Sequence, residues 1–338
     1  MKSLEENVFM NKPRGTDRVW ISWEIQRRSM ELCRILGCSF YIFEYKGLLR
    51  YPKSFLKTFL ILAKEKPSIL FVQNPSMILA ALACAIGKIT PISIVVDRHT
   101  TFLLSNPKMP FLKRWSFMTL HRFTIRNAAI TIVTNEYLAR IVRSLKGTPF
   151  VLPDPLPAFS PVRSPVLKGK WKILVPSSFG KDEPIMNILE AARELEKDGV
   201  VFYISGNYRK FGYDLKNRIG PNVELTGFLP EQDYIDMLFS VDGVIALTKS
   251  TYCMLCGCYE AVAAGKPLIT SNQSVLMEYF SDSIFVDNSP VEIVRAVRTL
   301  VSNAETYGER LRLLRLRISA QWEDKHKALE TRLASLVQ

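Results

Sequence analysis

The sequence predicts an α/β protein of two doubly wound parallel-sheet domains. Three observations carry that expectation. Short apolar runs alternate with helix-period segments along most of the chain. The runs are continuous rather than alternating, as in strands of a parallel sheet covered on both faces. A proline-rich stretch, residues 154–170, breaks the rhythm once, and 338 residues suit two cores better than one.

In order, "RVWIS" reads as the first strand. "EIQRRSMELCRILG" reads as a helix with Ile25, Met30 (or Ser29), Leu32, Cys33 and Leu36 on one face, stopped at Gly37. "SFYIFEY" is the next strand, followed by a basic helix over residues 52–66, the strand "SILFVQ" and an apolar helix from Met77. "ISIVVD", a helix over 111–126, "AAITIVT", a helix over 136–145 and "PFVLP" complete residues 1–153. After the linker come "WKILVP", a helix from Glu183, "VVFYIS", a helix near Asp214, "VELTG", a helix from Glu231 and "GVIALT". A helix through Glu260, "PLIT", a short helix near Val275, "SIFVD" and helices to the end follow. The second domain is expected over 171–319 and a terminal helix over 320–338, crossing back to the first domain.

Ligands of such sheets bind beyond the carboxyl ends of the strands. The strand-to-helix loops are therefore the candidate sites. Trp23, Glu24 and Arg27 lie at the first and are candidates for touching an acceptor, the alternative being the start of an amphipathic helix. Ser177, Ser178 and Lys181 stand where they can reach a diphosphate, the alternative being a polar loop before a helix capped by Asp182. Gly206 ends a further strand.

Charge is uneven. Residues 1–153 hold 23 Lys/Arg against 9 Asp/Glu, about +14, so the remainder of the net +13 chain is near −1. A basic half implies an anionic partner or a solvated basic surface. "KMPFLKRWSFMTLHRFTIR" and "KGLLRYPKSFLKTFLILAKEK" interleave cations with aromatic and aliphatic residues, the composition of a helix lying on an anionic bilayer. No nucleic-acid-binding motif is present, so nucleic acid is not an expected partner. The first residues are too polar for a secretory signal. The best apolar run, Met77 to Gly87, falls well short of the roughly 20 residues that cross a bilayer. The six cysteines make no disulfide framework, and the expected compartment is the cytoplasm, at the inner face of the membrane.

"STYCMLCGCYEAVAAGKPLIT" holds three of those cysteines, Cys253, Cys256 and Cys258. Their spacing gives no fourth ligand for zinc or an iron–sulfur cluster, so no metal is expected. The segment reads instead as a strand, a loop containing Thr251, and a helix opened by Cys256 or Gly257. The free N–H groups of that opening suit a phosphate.

"CGCYEAVAAGKPLITSNQSVLMEYF" resembles the nucleotide-sugar segment of GT-B glycosyltransferases, close to glycosyltransferase family 4: a small-residue helix start, Glu-Ala, Gly-Lys-Pro and a strand, then a Glu in the next helix. The resemblance is strong over 171–290 and loose over 17–150. It implies two Rossmann-like domains facing each other across a cleft, the first binding acceptor and the second donor. It also implies a nucleotide-sugar co-substrate, UDP- or GDP-linked, with no cofactor. Glu260 matches the family carboxylate that binds the donor ribose. Gly227, Phe228 and Leu229 match the place where the family meets the base, simple packing of Phe228 being the alternative. Retaining members carry a Glu eight positions before Glu260, where this chain has Tyr252. "VVDRHTTF" resembles the Asp-x-His segment of mannosyltransferases that build lipid-linked sugars, which makes Asp97 and His99 the candidate base of an inverting transfer. The expected activity is hexosyl transfer to a lipid-linked or other anionic acceptor at an anionic membrane surface. A sugar-nucleotide epimerase or hydrolase, or a non-catalytic subunit, are the alternatives.

Overall fold

The computed structural model describes residues 17–47, 49–74, 76–99, 110–211, 215 and 218–337. It divides into two compact units, residues 1–154 with 323–338, and residues 155–322.

The first unit is a parallel sheet of six strands: β1 (Arg18–Ser22), β2 (Ser39–Ile42), β3 (Ile69–Gln73), β4 (Ser93–Asp97), β5 (Ile130–Val133) and β6 (Pro149–Val151). Their order is β2-β1-β3-β4-β5-β6, so the winding reverses between β1 and β3. The connecting helices are α1 (Arg27–Ile35), α2 (Arg50–Glu65), α3 (Met77–Gly87), α4 (Phe111–Asn127) and α5 (Glu136–Ser144). The continuous apolar runs are strands buried on both faces; Ile69, Phe71, Val95 and Ile132 are all fully enclosed. Trp20 stacks on Phe71 with ring centres 5.3 Å apart. Helix α3 is apolar all round because it is wedged between the sheet and α4. Helix α5 starts where Asn135 accepts a hydrogen bond from the Leu138 N–H, a side-chain N-cap.

Helix α1 keeps most of its expected face: Ser29, Leu32, Cys33 and Leu36 are buried, whereas Ile25 and Met30 are 60% and 48% exposed. Arg28 joins the buried stripe, where it has carboxylates to meet.

The second unit repeats the design. Strands β7 (Trp171–Pro176), β8 (Val200–Ser205), β9 (Val223–Gly227), β10 (Gly243–Ala246), β11 (Leu268–Ser271) and β12 (Ile284–Val286) form a parallel sheet in the order β12-β11-β10-β7-β8-β9. Its winding reverses between β7 and β10, the topological switch point of this fold class. Helices α6 (Ile185–Leu195), α7 (Glu231–Ser240), α8 (Cys256–Ala264), α9 (Ser274–Tyr279), α10 (Pro290–Ser302) and α11 (Ala304–Ala334) flank it. From Glu323 onward α11 belongs to the first unit, where Glu330 pairs with Arg18 and the Leu336 carbonyl accepts from Ser93. The proline-rich stretch forms no helix or strand and is tied to the second unit, the Val162 N–H donating to Asp236 and the Lys168 N–H to the Tyr203 hydroxyl.

The helix expected from Glu183 starts at Ile185, because Glu183 turns its carboxylate back into the preceding loop and Asp182 accepts from Thr248 on the loop after β10. The helix expected near Asp214 falls on residues outside the described ones; before them Tyr208–Phe211 forms a 3-10 turn.

Candidate active site

In the first unit β4 ends at Asp97, and Arg98 and His99 follow it. The extended backbone sends alternate side chains to opposite faces. Asp97 and His99 share one face, with His99 Nδ1 3.1 Å from Asp97 Oδ2. Asp97 is 1% exposed and is held from the other side by Arg28, whose Nε donates to Oδ1 at 3.0 Å and Oδ2 at 3.2 Å. The same guanidinium donates to Asp154 at 2.5 Å and to the Leu152 carbonyl at 2.9 Å. One buried arginine thus ties α1 to the end of β4 and to the chain just past β6. Burial pushes the Asp97 carboxyl up, but Arg28 and His99 outweigh it and leave it below the usual carboxylate range. Burial likewise works against the charge on Arg28, and Asp97 and Asp154 raise it overall.

Asp97 is therefore a committed anion, poor at accepting a proton. The carboxylate meets the imidazole ring of His99 at Nδ1. Arg28 is the residue that reading the sequence missed. Its signal was present: residues 28, 29, 32 and 33 form the stripe of one helix face, with a cation in it and an aspartate at a central strand end.

Arg98 faces the other way, buried against α4. Its guanidinium meets His121 Nδ1 at 2.6 Å and the Thr124 hydroxyl at 2.9 Å. Burial pulls Arg98 down to about 10, and burial with Arg98 and Arg122 pulls His121 down to about 4. Thr100 to Met109, the rest of the loop after β4, lie outside the described residues, and so does Lys108 of the basic stretch.

The acceptor contact expected of Trp23 is corrected. The indole is 1% exposed, packs on Phe55 at 5.6 Å and donates from Nε1 to the Thr58 hydroxyl, so its side chain is core. Glu24 pairs with Arg50 at 2.7 Å on the surface, and Arg27 opens α1 exposed.

In the second unit the expected donor residues gather at the carboxyl edge of adjacent strands. Ser178 and Lys181 are exposed on the loop after β7. Gly206 ends β8 with φ +126°, and a Cβ there would overlap the Ser177 carbonyl oxygen, so only glycine fits. Gly227 ends β9 with φ +73°. Phe228 follows it at 87% exposure, which rules out packing as its role, and Leu229 is half-buried. Thr251 is exposed on the loop after β10. Cys256 opens α8 at the surface, and no side chain caps that helix start. Gly257 is buried, with room for no Cβ beside Pro176 and Ala246, so α8 begins hard against β7. Glu260, one turn in, accepts a hydrogen bond from the Tyr234 hydroxyl at 2.5 Å.

The cysteines of this segment pack or face solvent. Cys258 is fully buried beside the Thr270 hydroxyl at 3.3 Å, and burial pushes its thiol up to about 12. Among the described residues no three His, Cys, Asp or Glu side chains gather as a metal-holding group.

The family description "Glycosyl transferases group 1" matches residues 160–312, and "Glycosyltransferase Family 4" matches residues 22–153. No curated protein matches the chain significantly. Among solved structures, sucrose-phosphate synthase from Thermosynechococcus elongatus is similar with a TM-score of 0.74 at 11% identity, over 94% of this chain and 98% of that one. A glycosyltransferase from Rickettsia africae gives 0.72 at 13% identity, over 96% and 99%. HepE of Anabaena, solved in complex with UDP-glucose, gives 0.71 at 12% identity, over 94% and 91%. At these identities the structures speak for the fold alone, while the two family matches tile most of the chain. The chain belongs to the GT-B-fold glycosyltransferases, close to glycosyltransferase family 4.

Proposed function

We propose that this glycosyltransferase takes a hexosyl group from a UDP- or GDP-linked sugar and passes it, with inversion, to a hydroxyl of a lipid-linked or other anionic acceptor. The observation that carries the chemistry is the Asp97–His99 contact at the carboxyl end of β4. His99 takes the acceptor proton through Nε2 as the hydroxyl attacks the anomeric carbon, and Asp97 stabilises the imidazolium that forms. Arg28 keeps Asp97 charged for that purpose. The donor is assigned to the second unit. Glu260 binds the ribose hydroxyls, Gly227 to Leu229 meet the base, and the N–H groups at the start of α8 face the leaving diphosphate. Tyr252, a phenol, stands where retaining relatives have a carboxylate, which favours inversion. The transfer is assigned no metal, and undiminished turnover in chelator tests that.

The acceptor side rests on the surface of the first unit. Helix α2 exposes Leu56, Phe59 and Leu60 among Lys53, Lys57 and Lys64, and α4 exposes Phe111, Leu112 and Trp115 beside Arg114. Apolar residues flanked by cations suit an anionic bilayer surface, hence a peripheral site at the cytoplasmic face. No helix among the described residues is long and apolar enough to cross a membrane.

A thermal-shift panel of UDP- and GDP-sugars tests the donor assignment, because a ligand of the folded state alone raises the melting temperature. At least one is expected to stabilise the protein, and none doing so overturns it. Two observations favour a second reading, a non-catalytic subunit: Tyr252 in place of the carboxylate, and the occupied loop after β7 described next. That subunit would turn over no donor.

A further inference from the structure

The loop after β7 already holds an anion, and the anion is its own. Glu183 accepts hydrogen bonds from the Ser178 N–H at 3.0 Å, the Phe179 N–H at 3.0 Å, the Ser178 hydroxyl at 2.7 Å and the Ser177 hydroxyl. Phe179 has φ +56°, a left-handed conformation that a non-glycine residue adopts only when its surroundings impose it. Successive N–H groups turned to one side by such a residue form the concave nest that binds phosphates elsewhere. Here both amides and both hydroxyls point at one carboxylate.

The position matters as much as the chemistry. This loop and the loop after β10 flank the switch point of the second unit, where folds of this class receive their ligand. Asp182 bridges the two loops: its Oδ2 accepts from the Thr248 hydroxyl at 2.9 Å and its carbonyl from the Lys249 N–H at 2.7 Å. Lys181 and Lys249, one on each loop, are exposed. A diphosphate arriving here finds two cations to attract it, four donors already taken and a carboxylate to repel it.

We infer that Glu183 is a built-in competitor for the anionic group of the ligand at this crevice, so that a nucleoside diphosphate binds the loop only by displacing it. Glu183 holds the nest in its anion-bound shape while the site is empty and lowers affinity for any ligand that must take the nest over. This rests on the nucleotide-sugar assignment above. The full-length protein and its Glu183→Gln variant, which keeps an acceptor oxygen but loses the charge, are compared by calorimetry with UDP, GDP, inorganic pyrophosphate and uridine. Circular dichroism checks the fold. Charge-assisted hydrogen bonds are about twice as strong as neutral ones, so the variant is expected to bind a nucleoside diphosphate and pyrophosphate about tenfold more tightly. Uridine, which has no phosphate, is expected to bind both proteins alike. If the glutamine variant does not fold, Glu183→Asp serves, since one methylene less withdraws the carboxylate from the nest; a smaller gain of the same sign is expected. A folded variant that binds the diphosphates no more tightly than a wild type that does bind them overturns the inference and leaves the nucleotide assignment standing. If neither protein binds any of the phosphates, both fall together. Binding by the variant alone supports the inference most strongly.

Discussion

Replacing Arg28 by methionine tests the frame around the candidate base. The substitution keeps most of the side-chain length and removes the charge. It strands Asp97, whose side chain is 0% exposed, and takes a donor from Asp154 and another from the Leu152 carbonyl. Breaking a buried ion pair by removing one partner costs about 3–5 kcal/mol, because the remaining charge is left uncompensated. Both side chains are buried, so solvent screening does not discount that figure. Urea unfolding followed by tryptophan fluorescence measures it, the transition of the first unit moving to lower denaturant. Removing Asp97 as well, as Arg28→Met/Asp97→Leu, is expected to recover much of the loss, since an apolar replacement of a buried pair is often neutral. The pH dependence has a definite sign. In the wild type the folded carboxyl lies below its unfolded value, so its contribution is present above about pH 4 and lost as pH falls through the folded value. In the variant, burial without the cation raises the folded value, so stability is lost as pH rises through it. The gap between the two proteins therefore narrows as pH is lowered from 7 towards about 4. A deficit under about 1 kcal/mol, the range of an exposed ion pair, or one that is constant with pH, would refute the reasoning.

His99→Ala is expected to lower turnover by about 10²–10⁴-fold with donor affinity unchanged, as loss of a general base does; a steady-state comparison checks it, and His99 is a cleaner target than Asp97 because it does not hold Arg28. Glu260→Ala is expected to weaken donor binding by about 1.5–3 kcal/mol, the worth of a hydrogen bond to a charged group, in a variant whose melting curve stays cooperative. Unchanged affinity removes Glu260 from the site. Vesicle sedimentation is expected to show binding that needs anionic lipid, falls with salt, and weakens when Lys113, Arg114 and Arg122 are replaced together, since exposed charges are screened over about 8 Å at physiological ionic strength. Equal binding to neutral vesicles contradicts a basic membrane face.

The strands and most helices were legible in the sequence because burial on both faces leaves continuous apolar runs such as Ile69 to Val72. The helices expected over 111–126 and from Glu231 are present as Phe111–Asn127 and Glu231–Ser240, each set between turn-forming residues and the next strand. The segment from Ser250 to Thr270 was legible as a loop, a helix and a strand, and it forms the loop after β10, α8 and most of β11. What could not be read was polar pairing. Arg28 lies on the buried stripe of α1, but its partners, Asp97 and Asp154, are 69 and 126 residues away in the chain, so the local pattern does not name them. Trp23 ends a strand at a crevice loop, yet folds back to fill the core under α2. Glu183 looks like an ordinary helix start. Its role depends on Phe179 adopting a left-handed conformation that no local residue preference announces.

The anomeric configuration of the product tests the central claim most directly. Proton NMR of the purified product, made with the sugar nucleotide selected by thermal shift, reports it, because the new glycosidic bond is an acetal and does not mutarotate. A base at His99 on the acceptor side requires direct displacement, so the product is expected to carry the opposite configuration to the donor. A retained configuration would contradict the assignment of Asp97 and His99 as the proton-accepting pair.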